Sequence, residues 1–433
     1  MASRLGPCLV IKENRVGQTL TEKILSRVMG RPVAAGETIY PVPDLMTVHD
    51  WYVVNFDKAL EELGVDALYD PGRVLISTDH EPVATNLASA ERQKKVREIV
   101  RKYGITQFYD VGRGGLGHIF PMEKGIVRPG MFVLAYDTHV TNYGAVGCLG
   151  IPMVFEIPEV LACGSVWIRV PETVRVNLVG SLKPGITIRD VSQRMIVDIG
   201  EEKLDYSIVE YGGPALKDID FGGRMTLCNN PLEMGAKSAL VETDQRTRSF
   251  VEERTKEPFT AEQSDPDAQF KAVYDYDLGI MEPQVAAPPR PDNVVGVTSV
   301  AGKPVHHAFI GSCANGSIED MRDAAAILRG RKVHSSVRLF ITPATQEIAL
   351  RAGSEGLINI FMDAGAVMTA PGCGPCAAGR IAPVAPGEVS INTGTRNDPG
   401  RLGTTKADVY LASPLTVAAS AVAGEIADPR KYL

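Results

Sequence analysis

Three cysteines, Cys313, Cys373 and Cys376, are the residues whose type and spacing best suit metal or redox chemistry. Cys313 follows an apolar run in IGSCANG, and the other two form a CxxC pair in TAPGCGPCAAG. Each segment is typical of a strand followed by a glycine-rich loop, so the thiols can converge at the carboxyl edge of a sheet, where α/β proteins bind ligands. Helix N-termini at that edge also favour thiolates, the form that binds metals.

Three kinds of site fit these thiols on spacing alone. CGPC occurs in thioredoxin-like redox proteins, but an aromatic residue is expected before the first cysteine, where this chain has Pro371-Gly372. A structural zinc site requires four ligands, and no second CxxC or suitably spaced His pair supplies the fourth. An iron–sulfur cluster held by three cysteines would leave one iron open as a Lewis acid. The residues alone leave all three alternatives open.

Carboxylates and histidines occur together at other predicted strand ends and glycine-rich loops. A carboxylate beside an imidazole fixes its tautomer and raises its basicity, which suits general acid–base work or the orientation of a ligand. The segments concerned are Asp79-His80 after RVLIS, Asp137-Thr138-His139 after MFVLAY, and His118 in GRGGLGHIF.

The elements that must position these residues alternate between strand and helix. RVLISTD (73–79) precedes a helix predicted from about Asn86 to Lys102, and TQFYDV (106–111) follows it. HHAFIGS (306–312), a helix over 317–330 and VHSSVRLFIT (333–342) repeat the pattern. Repeated βα alternation predicts an α/β fold with parallel sheets covered by helices.

The length of 433 residues predicts about three domains. We place a first α/β domain at 1–170 and a second, smaller one at 171–277. The Pro-rich stretch at 278–297 is interpreted as an extended linker. A third α/β domain at 298–433 then carries the three cysteines.

Composition excludes several classes of protein. The net charge of −7 and the lack of an isolated basic stretch argue against a nucleic-acid partner. No apolar window is long enough for a transmembrane helix, and the N-terminus lacks a signal-peptide pattern, so we expect a cytoplasmic protein. Seven cysteines, an odd number in a long chain, indicate reduced thiols rather than a disulfide framework. Those outside the candidate site are interpreted as small hydrophobic residues: Cys8, Cys148, Cys163 and Cys228.

Several long segments carry a specific resemblance: YDVGRGGLGHIFPMEKGIVRPG, YDTHVTNYGAVG, GRMTLCNNPLEMGAKSALVE, IGSCANGSIEDMRDAAAILRGRKV and APGEVSINTGTRNDPGRLG. They resemble the aconitase family, in particular the large subunits of 3-isopropylmalate dehydratase and homoaconitase. The similarity extends from TLTEKILSR to the C-terminus. The resemblance implies three α/β domains around a central cluster cleft, without the family's fourth, swivelling domain.

The resemblance also implies roles for individual residues. It assigns a 4Fe-4S cluster with one open iron to Cys313, Cys373 and Cys376, with Asn315 as a polar neighbour. It implies catalytic roles for Asp79, His80, His118, Asp137, His139 and Glu233. It implies substrate binding by His49, Thr138, Asn229, Arg396 and Arg401.

The implied reaction is reversible elimination of water from a 2-hydroxy di- or tricarboxylic acid by a hydro-lyase or isomerase. Thr138, Thr395 and the bulky Trp51-Tyr52 depart from the family pattern and leave the substrate open between isopropylmalate, a homoaconitase substrate and another small diacid such as dimethylmalate, citramalate or maleate. The sequence ends soon after LTVAASAVAGEIAD. The resemblance therefore implies that a small partner subunit supplies the swivelling domain and its serine base. The non-enzyme alternative is an RNA-binding apo-protein, which the acidic composition disfavours.

Overall fold

Residues 17–200 and 203–433 are described by the structure, a computed structural model. Their strands form three main sheets and one two-stranded ribbon. The ribbon pairs β1 (Thr38–Ile39) with β7 (Ile168–Arg169) in antiparallel fashion. The α/β class predicted from the sequence is confirmed, and Cys8 lies outside the described residues.

The first sheet has five parallel strands in the order β4-β3-β2-β5-β6. Four of its strands carry mostly apolar, buried runs, as expected of a parallel sheet covered by helices, and the edge strand β4 is half-buried. The strands are β2 (Leu45–His49), β3 (Val74–Ser77), β4 (Gln107–Tyr109), β5 (Phe132–Tyr136) and β6 (Leu149–Pro152). The helices of this part are α1 (Leu20–Met29), α2 (Asp50–Glu62), α3 (Leu87–Lys102), α4 (Phe120–Glu123) and α5 (Ile157–Cys163).

The second sheet is parallel in the order β10-β9-β8-β11. Its strands are β8 (Thr173–Val179), β9 (Ile208–Gly212), β10 (Ser238–Val241) and β11 (Ala272–Asp277). Its helices are α6 (Ile188–Ile199), α7 (Phe221–Asn229) and α8 (Gln245–Glu252). The boundary proposed near residue 170 falls between the ribbon strand β7 and this sheet, and the division into domains stays a prediction.

The third sheet has seven strands in the order β13-β12-β18-β17-β14-β15-β16. Its strands are β12 (Gln284–Ala286), β13 (Val294–Gly296), β14 (His307–Ile310), β15 (Arg338–Ile341), β16 (Val367–Met368), β17 (Val389–Asn392) and β18 (Asp408–Ala412). Its helices are α9 (Ser312–Asn315), α10 (Ile318–Leu328), α11 (Gln346–Ser354), α12 (Leu357–Ala364) and α13 (Pro414–Ala423).

The segment predicted as a linker, 278–297, differs from that expectation. Strand β12 pairs antiparallel with both β13 and β18, and Val285 and Ala286 are fully buried. The prolines at 288, 289 and 291 lie in the connection between β12 and β13, where no ladder hydrogen bond is needed. The Pro-rich composition therefore marks a turn at a sheet edge, and the short apolar runs beside it are strands.

Helix ends follow the capping signals in the sequence. Asn86 caps α3 by accepting from the Ser89 amide, and Ser317 and Asp320 form a capping box at the start of α10. Both helices begin and end within two residues of their predicted limits. None of the helices in the described part of the chain has the length and apolarity that crossing a bilayer requires.

Candidate active site and metal centre

One cavity of about 800 Å³ collects most of the chemically active side chains. The carboxyl ends of β2, β3 and β5 deliver His49, His80 and Asp137, and those of β14 and β16 deliver the cysteines. Parallel strands end at one edge of a sheet, so the facing edges of the first and third sheets enclose this space. The predicted residues that line it are His49, His80, His118, Asp137, Thr138, His139, Cys313, Cys373, Cys376, Arg396 and Arg401.

The three cysteines are buried and come from two loops of the third sheet. Cys313 lies in α9, directly after Ser312, which has a φ of 73° that a residue with a side chain rarely adopts. The Ser312 hydroxyl donates to the Thr393 carbonyl at 3.1 Å and helps to hold this turn. Cys373 donates its backbone N–H to the Asp79 carbonyl at 2.9 Å, so the CxxC loop is docked on the acid–base segment of the first sheet.

The Asp79–His80 pair is fixed from several sides. The carboxylate of Asp79 lies 2.7 Å from His80 Nδ1 and accepts from the Gly117 amide at 2.7 Å and from the Ser77 hydroxyl at 3.1 Å. Its side chain is fully buried. The Nε2 atom of His80 is thereby directed away from Asp79, toward the cavity and Asp137, whose Oδ2 lies at 3.5 Å.

A second set of imidazoles surrounds Asp137. His49 stacks on His80 with ring centroids 4.0 Å apart, and its Nε2 lies 3.9 Å from Asp137. Asp137 accepts from the backbone amide of His139 at 2.8 Å, and its carboxylate lies 3.3 Å from His139 Nδ1. The rings of His118 and His139 lie 6.1 Å apart, and both imidazoles reach the Cys313 thiol.

Neighbouring charges set the protonation of the two stacked imidazoles in opposite directions. Burial lowers the pKa of His80, but the charge of Asp79 and its hydrogen bond outweigh burial and raise that pKa to about 9. Burial and the charge of His80 together lower the pKa of His49 to about 3. At neutral pH, His80 is therefore protonated and His49 is neutral.

Two of the three thiols are similarly biased toward thiolates, whereas the hydrogen bond to Cys376 and burial raise the pKa of Cys373 well above its usual range. Burial raises the pKa of Cys313, but the charges and hydrogen bonds of His139 and His118 lower it to about 6. A hydrogen bond from Cys373 and the charge of Arg401 hold the pKa of Cys376 well below its usual range despite burial. Thiolates are the form in which cysteines bind metal ions.

The remaining predicted residues support the site from its sides. Arg401 donates to the Cys376 sulfur at 3.4 Å, and its Nε is buried without a partner. Arg396 donates to Glu233 at 2.8 Å, which orients the guanidinium into the cavity while Glu233 stays behind it. The amide of Asn229 donates to the Cys313 sulfur at 3.3 Å. Asn315 donates to Thr226 and Asp320 and holds the loop after Cys313.

Several contacts at the site were not predicted from the sequence. Asp50 accepts from the backbone amides of His80 at 3.1 Å and Glu81 at 3.0 Å, although it follows His49 in a different strand-loop unit. Glu81 is buried and forms ion pairs with Arg92 and Arg380. Arg380 also lies over the Trp51 ring, 4.6 Å from its centroid. The sequence offered one signal for these contacts, because Glu81 directly follows Asp79-His80. A carboxylate that is buried at such a position needs a charged or hydrogen-bonding partner.

The cysteines outside the site only partly follow the prediction that they act as small hydrophobic residues. Cys148 and Cys228 are buried in apolar surroundings, as predicted. Cys163 is exposed, and its prediction is wrong because it ends α5, where the helix meets solvent.

The donor set fits an iron–sulfur cluster. Three cysteine sulfurs, which are soft ligands, line one cavity, and polar atoms around it are buried without a partner: His49 Nδ1, Asn229 Oδ1 and Arg401 Nε. Buried polar groups normally have partners, so these atoms await a ligand. A closed zinc site would require a fourth ligand beside the CxxC pair, where Arg401 places a positive charge instead.

Comparisons with known proteins assign the chain to a family. The family model described as "Aconitase family (aconitate hydratase)" matches residues 22–305 and 298–424. The chain is 41% identical to a 3-isopropylmalate dehydratase large subunit of Methanopyrus kandleri over 420 residues, which are 96% of this chain and all of that protein. It is 38% identical to a probable methanogen homoaconitase large subunit of Methanothermobacter thermautotrophicus, over 96% of this chain and 98% of that protein.

Among solved structures, Thermococcus kodakaraensis aconitase X in its holo-form aligns with 87% of this chain and 89% of its own, at 13% identity and a TM-score of 0.47. That likeness is too weak to bear on the site. The near full-length sequence matches confirm the predicted resemblance. On these matches, the chain belongs to the aconitase family and is a hydro-lyase.

Proposed function

We propose that this chain is the cluster-carrying subunit of a dehydratase that reversibly removes water from a 2-hydroxy di- or tricarboxylic acid. The observation that supports this proposal is that three cysteines, two carboxylate–imidazole pairs and two arginines converge on one cavity. The relatives named above make 3-isopropylmalate the first candidate substrate and a homoaconitase-type tricarboxylate the alternative.

We propose that Cys313, Cys373 and Cys376 hold a 4Fe-4S cluster, with one iron left free of protein ligands. When bound, such a cluster supplies a Lewis acid that polarises a substrate hydroxyl and carboxylate. The contacts of Asn229 to Cys313 and of Arg401 to Cys376 stabilise the thiolates that this role requires.

His80 is proposed as the proton donor to the leaving hydroxyl. Asp79 keeps the imidazole charged at neutral pH and points its Nε2 into the cavity. Departure of a hydroxide is costly, and a proton delivered at Nε2 converts it into water. His118, Asp137 and His139 are proposed to orient and hydrogen-bond the substrate beside this donor.

Arg396 and Arg401 are proposed to bind substrate carboxylates. A guanidinium offers two parallel N–H donors that match a carboxylate, and Arg401 Nε is buried without a partner that would compete. Glu233 orients Arg396 through its ion pair at 2.8 Å. His49, Thr138 and Asn229 complete the proposed polar contacts.

We propose that a small partner subunit completes the site. The relatives named above are large subunits, and no serine lines the cavity within residues 17–200 and 203–433. The proton-abstracting base is therefore expected from the partner, with a swivelling domain covering the cavity. The six described cysteines are free thiols, which fits an enzyme of the reducing cytoplasm.

The cluster assignment is tested by anaerobic reconstitution with iron and sulfide. Cys313→Ser, Cys373→Ser and Cys376→Ser are each expected to lose the cluster absorbance and the bound sulfide, because each removes one ligand. Cys163→Ser, at the exposed end of α5, is the matched control and should load like the wild type. A cluster retained in any of the three site variants would contradict the assignment.

Substrate identity is tested on the reconstituted chain combined with a small subunit. Dehydration of a panel of 2-hydroxy acids is followed by the ultraviolet absorbance of the unsaturated product. We expect the highest kcat/KM with 3-isopropylmalate. Turnover of homocitrate-type tricarboxylates alone would support the alternative.

A further inference from the structure

A second ligand set overlaps the cysteine site without using the CxxC pair. His118, His139 and Cys313 are buried, and their candidate ligand atoms all lie within 4.8 Å of one another. One comes from the loop before α4, one from the turn after β5 and one from α9. Two imidazoles and one thiolate are the ligand types that zinc prefers.

The surroundings orient these atoms as they do in metal sites. The Asp137 carboxylate lies 3.3 Å from His139 Nδ1 and leaves the buried Nε2 for the interaction with Cys313. A carboxylate behind an imidazole fixes the tautomer that presents the opposite nitrogen to a metal. Asn229 donates to the Cys313 sulfur at 3.3 Å, which stabilises a thiolate.

The separations suit a tetrahedral ion. Zinc–nitrogen and zinc–sulfur bonds of about 2.0 and 2.3 Å place neighbouring ligand atoms roughly 3.5 Å apart. The ligand atoms of His118, His139 and Cys313 lie within 4.8 Å of one another. Side-chain shifts of no more than about 1 Å would therefore bring them to the distances of a zinc site. The cavity leaves the fourth position to water, as in zinc sites with three protein ligands.

We propose that, in the absence of the cluster, His118, His139 and Cys313 bind one zinc-type divalent cation. The protons that Cys313 and the two imidazoles share in the cluster-free chain are released to solvent, so that a thiolate and two neutral imidazoles bind the ion. The inference rests on the proposed function in one respect, because that function assigns Cys313 to the cluster. One sulfur then serves both groups, so the bound ion blocks cluster assembly.

The CxxC pair is the competing location for such an ion. Its two thiols lie beside the guanidinium of Arg401, which donates to Cys376 at 3.4 Å and repels a divalent cation. The carboxylate of Asp137, beside His139, attracts one. The charges therefore favour the site at Cys313.

The test is anaerobic titration of the full-length, cluster-free chain with Co²⁺, whose thiolate charge-transfer and d–d bands report the ligands. We expect one Co²⁺ per chain, displaced by Zn²⁺, in the wild type and in the Cys373→Ser/Cys376→Ser double variant. The thiolate band should disappear in Cys313→Ser. His139→Asn should lose tight binding, and Asp137→Asn should bind about 10–100-fold more weakly.

Loss of the bands in the double variant, or no tight Co²⁺ binding in the wild type, would overturn the proposal. Circular dichroism of each variant excludes misfolding as the cause of a lost band. Iron and sulfide loading of the wild type, with and without one equivalent of Zn²⁺, is measured in parallel. A chain that binds Co²⁺ as expected but never forms a cluster refutes the proposed cofactor alone, whereas a cluster formed equally well with Zn²⁺ present refutes the competition alone.

Discussion

At the scale of single residues, the two stacked imidazoles of His80 and His49 differ in charge. The Asp79 carboxylate lies 2.7 Å from His80, whereas the Asp137 carboxylate lies 3.9 Å from His49, so the imidazole of His80 is charged and that of His49 is neutral. Both are equally buried, at 9% and 8% exposure. The difference in their pKa values therefore comes from neighbouring charges, chiefly Asp79 beside His80 and the charged His80 beside His49, and not from a difference in burial.

Asp79→Asn should shift the pH dependence of turnover. The pKa of His80 is raised to about 9 in the folded chain, so the donor stays protonated below that pH. Without the Asp79 charge and hydrogen bond, burial is opposed only by Asp137 and Asp50, so the pKa of His80 falls. The alkaline limb of kcat/KM should move to lower pH, measured on the assembled enzyme.

Asp408→Asn, at the exposed start of β18, is the control and should leave the pH profile in place. An unchanged alkaline limb in Asp79→Asn, with the cluster still bound, would show that His80 is not the titrating donor.

Arg401→Lys should reduce kcat/KM at least about tenfold, or roughly 1.4 kcal/mol. An ammonium keeps the charge but cannot bond a sulfur and grip a carboxylate with two parallel donors at once. Steady-state kinetics of the cluster-loaded enzyme measure the loss. Arg194→Lys, at a half-exposed helix position paired with Asp198, is the matched substitution and should leave kcat/KM unchanged. Turnover near the wild-type value in Arg401→Lys would place its side chain outside substrate contact.

At the scale of elements, the site is made of strand ends. Asp79, His80, Asp137 and His139 follow apolar runs in the sequence, and that order alone predicts a shared sheet edge. Glu81 and Arg380 could not be paired in this way, because their bond joins positions 299 residues apart. Such contacts depend on how two sheets face each other, which local patterns do not specify.

Gly117→Ala should damage the acid–base pair through packing alone. A Cβ at this position would lie 2.3 Å from the Ser77 hydroxyl and 3.2 Å from Asp79 Oδ2, and rotation of Ser77 would break its bond to Asp79. We expect a loss of about 1–3 kcal/mol in the free energy of unfolding, together with reduced turnover. Urea denaturation and kcat/KM measure the two effects.

Gly353→Ala, within α11, is the matched control, because its nearest heavy atom would be 3.6 Å away. Alanine should stabilise that helix by about 0.5–1 kcal/mol. Equal unfolding midpoints for the two variants would contradict the packing argument.

At the scale of the whole molecule, the first and third sheets are joined directly through the site. The Cys373 amide bonds the Asp79 carbonyl, and Glu81 joins Arg92 of α3 to Arg380 of the cysteine loop. Arg189 of α6 bonds Gly394 at 2.7 Å and ties the second sheet to the loop that carries Arg396. Cysteines and acid–base groups therefore keep their spacing only while all three sheets are packed together.

The same geometry leaves the cavity open on one side. Glu91 and Lys95 of α3 line it and are exposed to solvent, so water reaches the acid–base groups. A dehydratase needs water excluded during the reaction and a base on the substrate face opposite His80. We expect the proposed small subunit to meet both requirements, by covering the cavity and by supplying the base.

The cluster-loaded chain alone should therefore bind substrate carboxylates yet turn over substrate at a negligible rate. Addition of the small subunit should restore activity in proportion to the amount of complex formed. Anaerobic activity during titration with the partner, alongside binding measured by calorimetry, gives both quantities. Robust turnover by the cluster-loaded chain without a second polypeptide would contradict the two-subunit proposal, and the base would then be sought at His118 or His139. A partner that binds without restoring turnover would instead separate assembly from catalysis and place the missing base elsewhere.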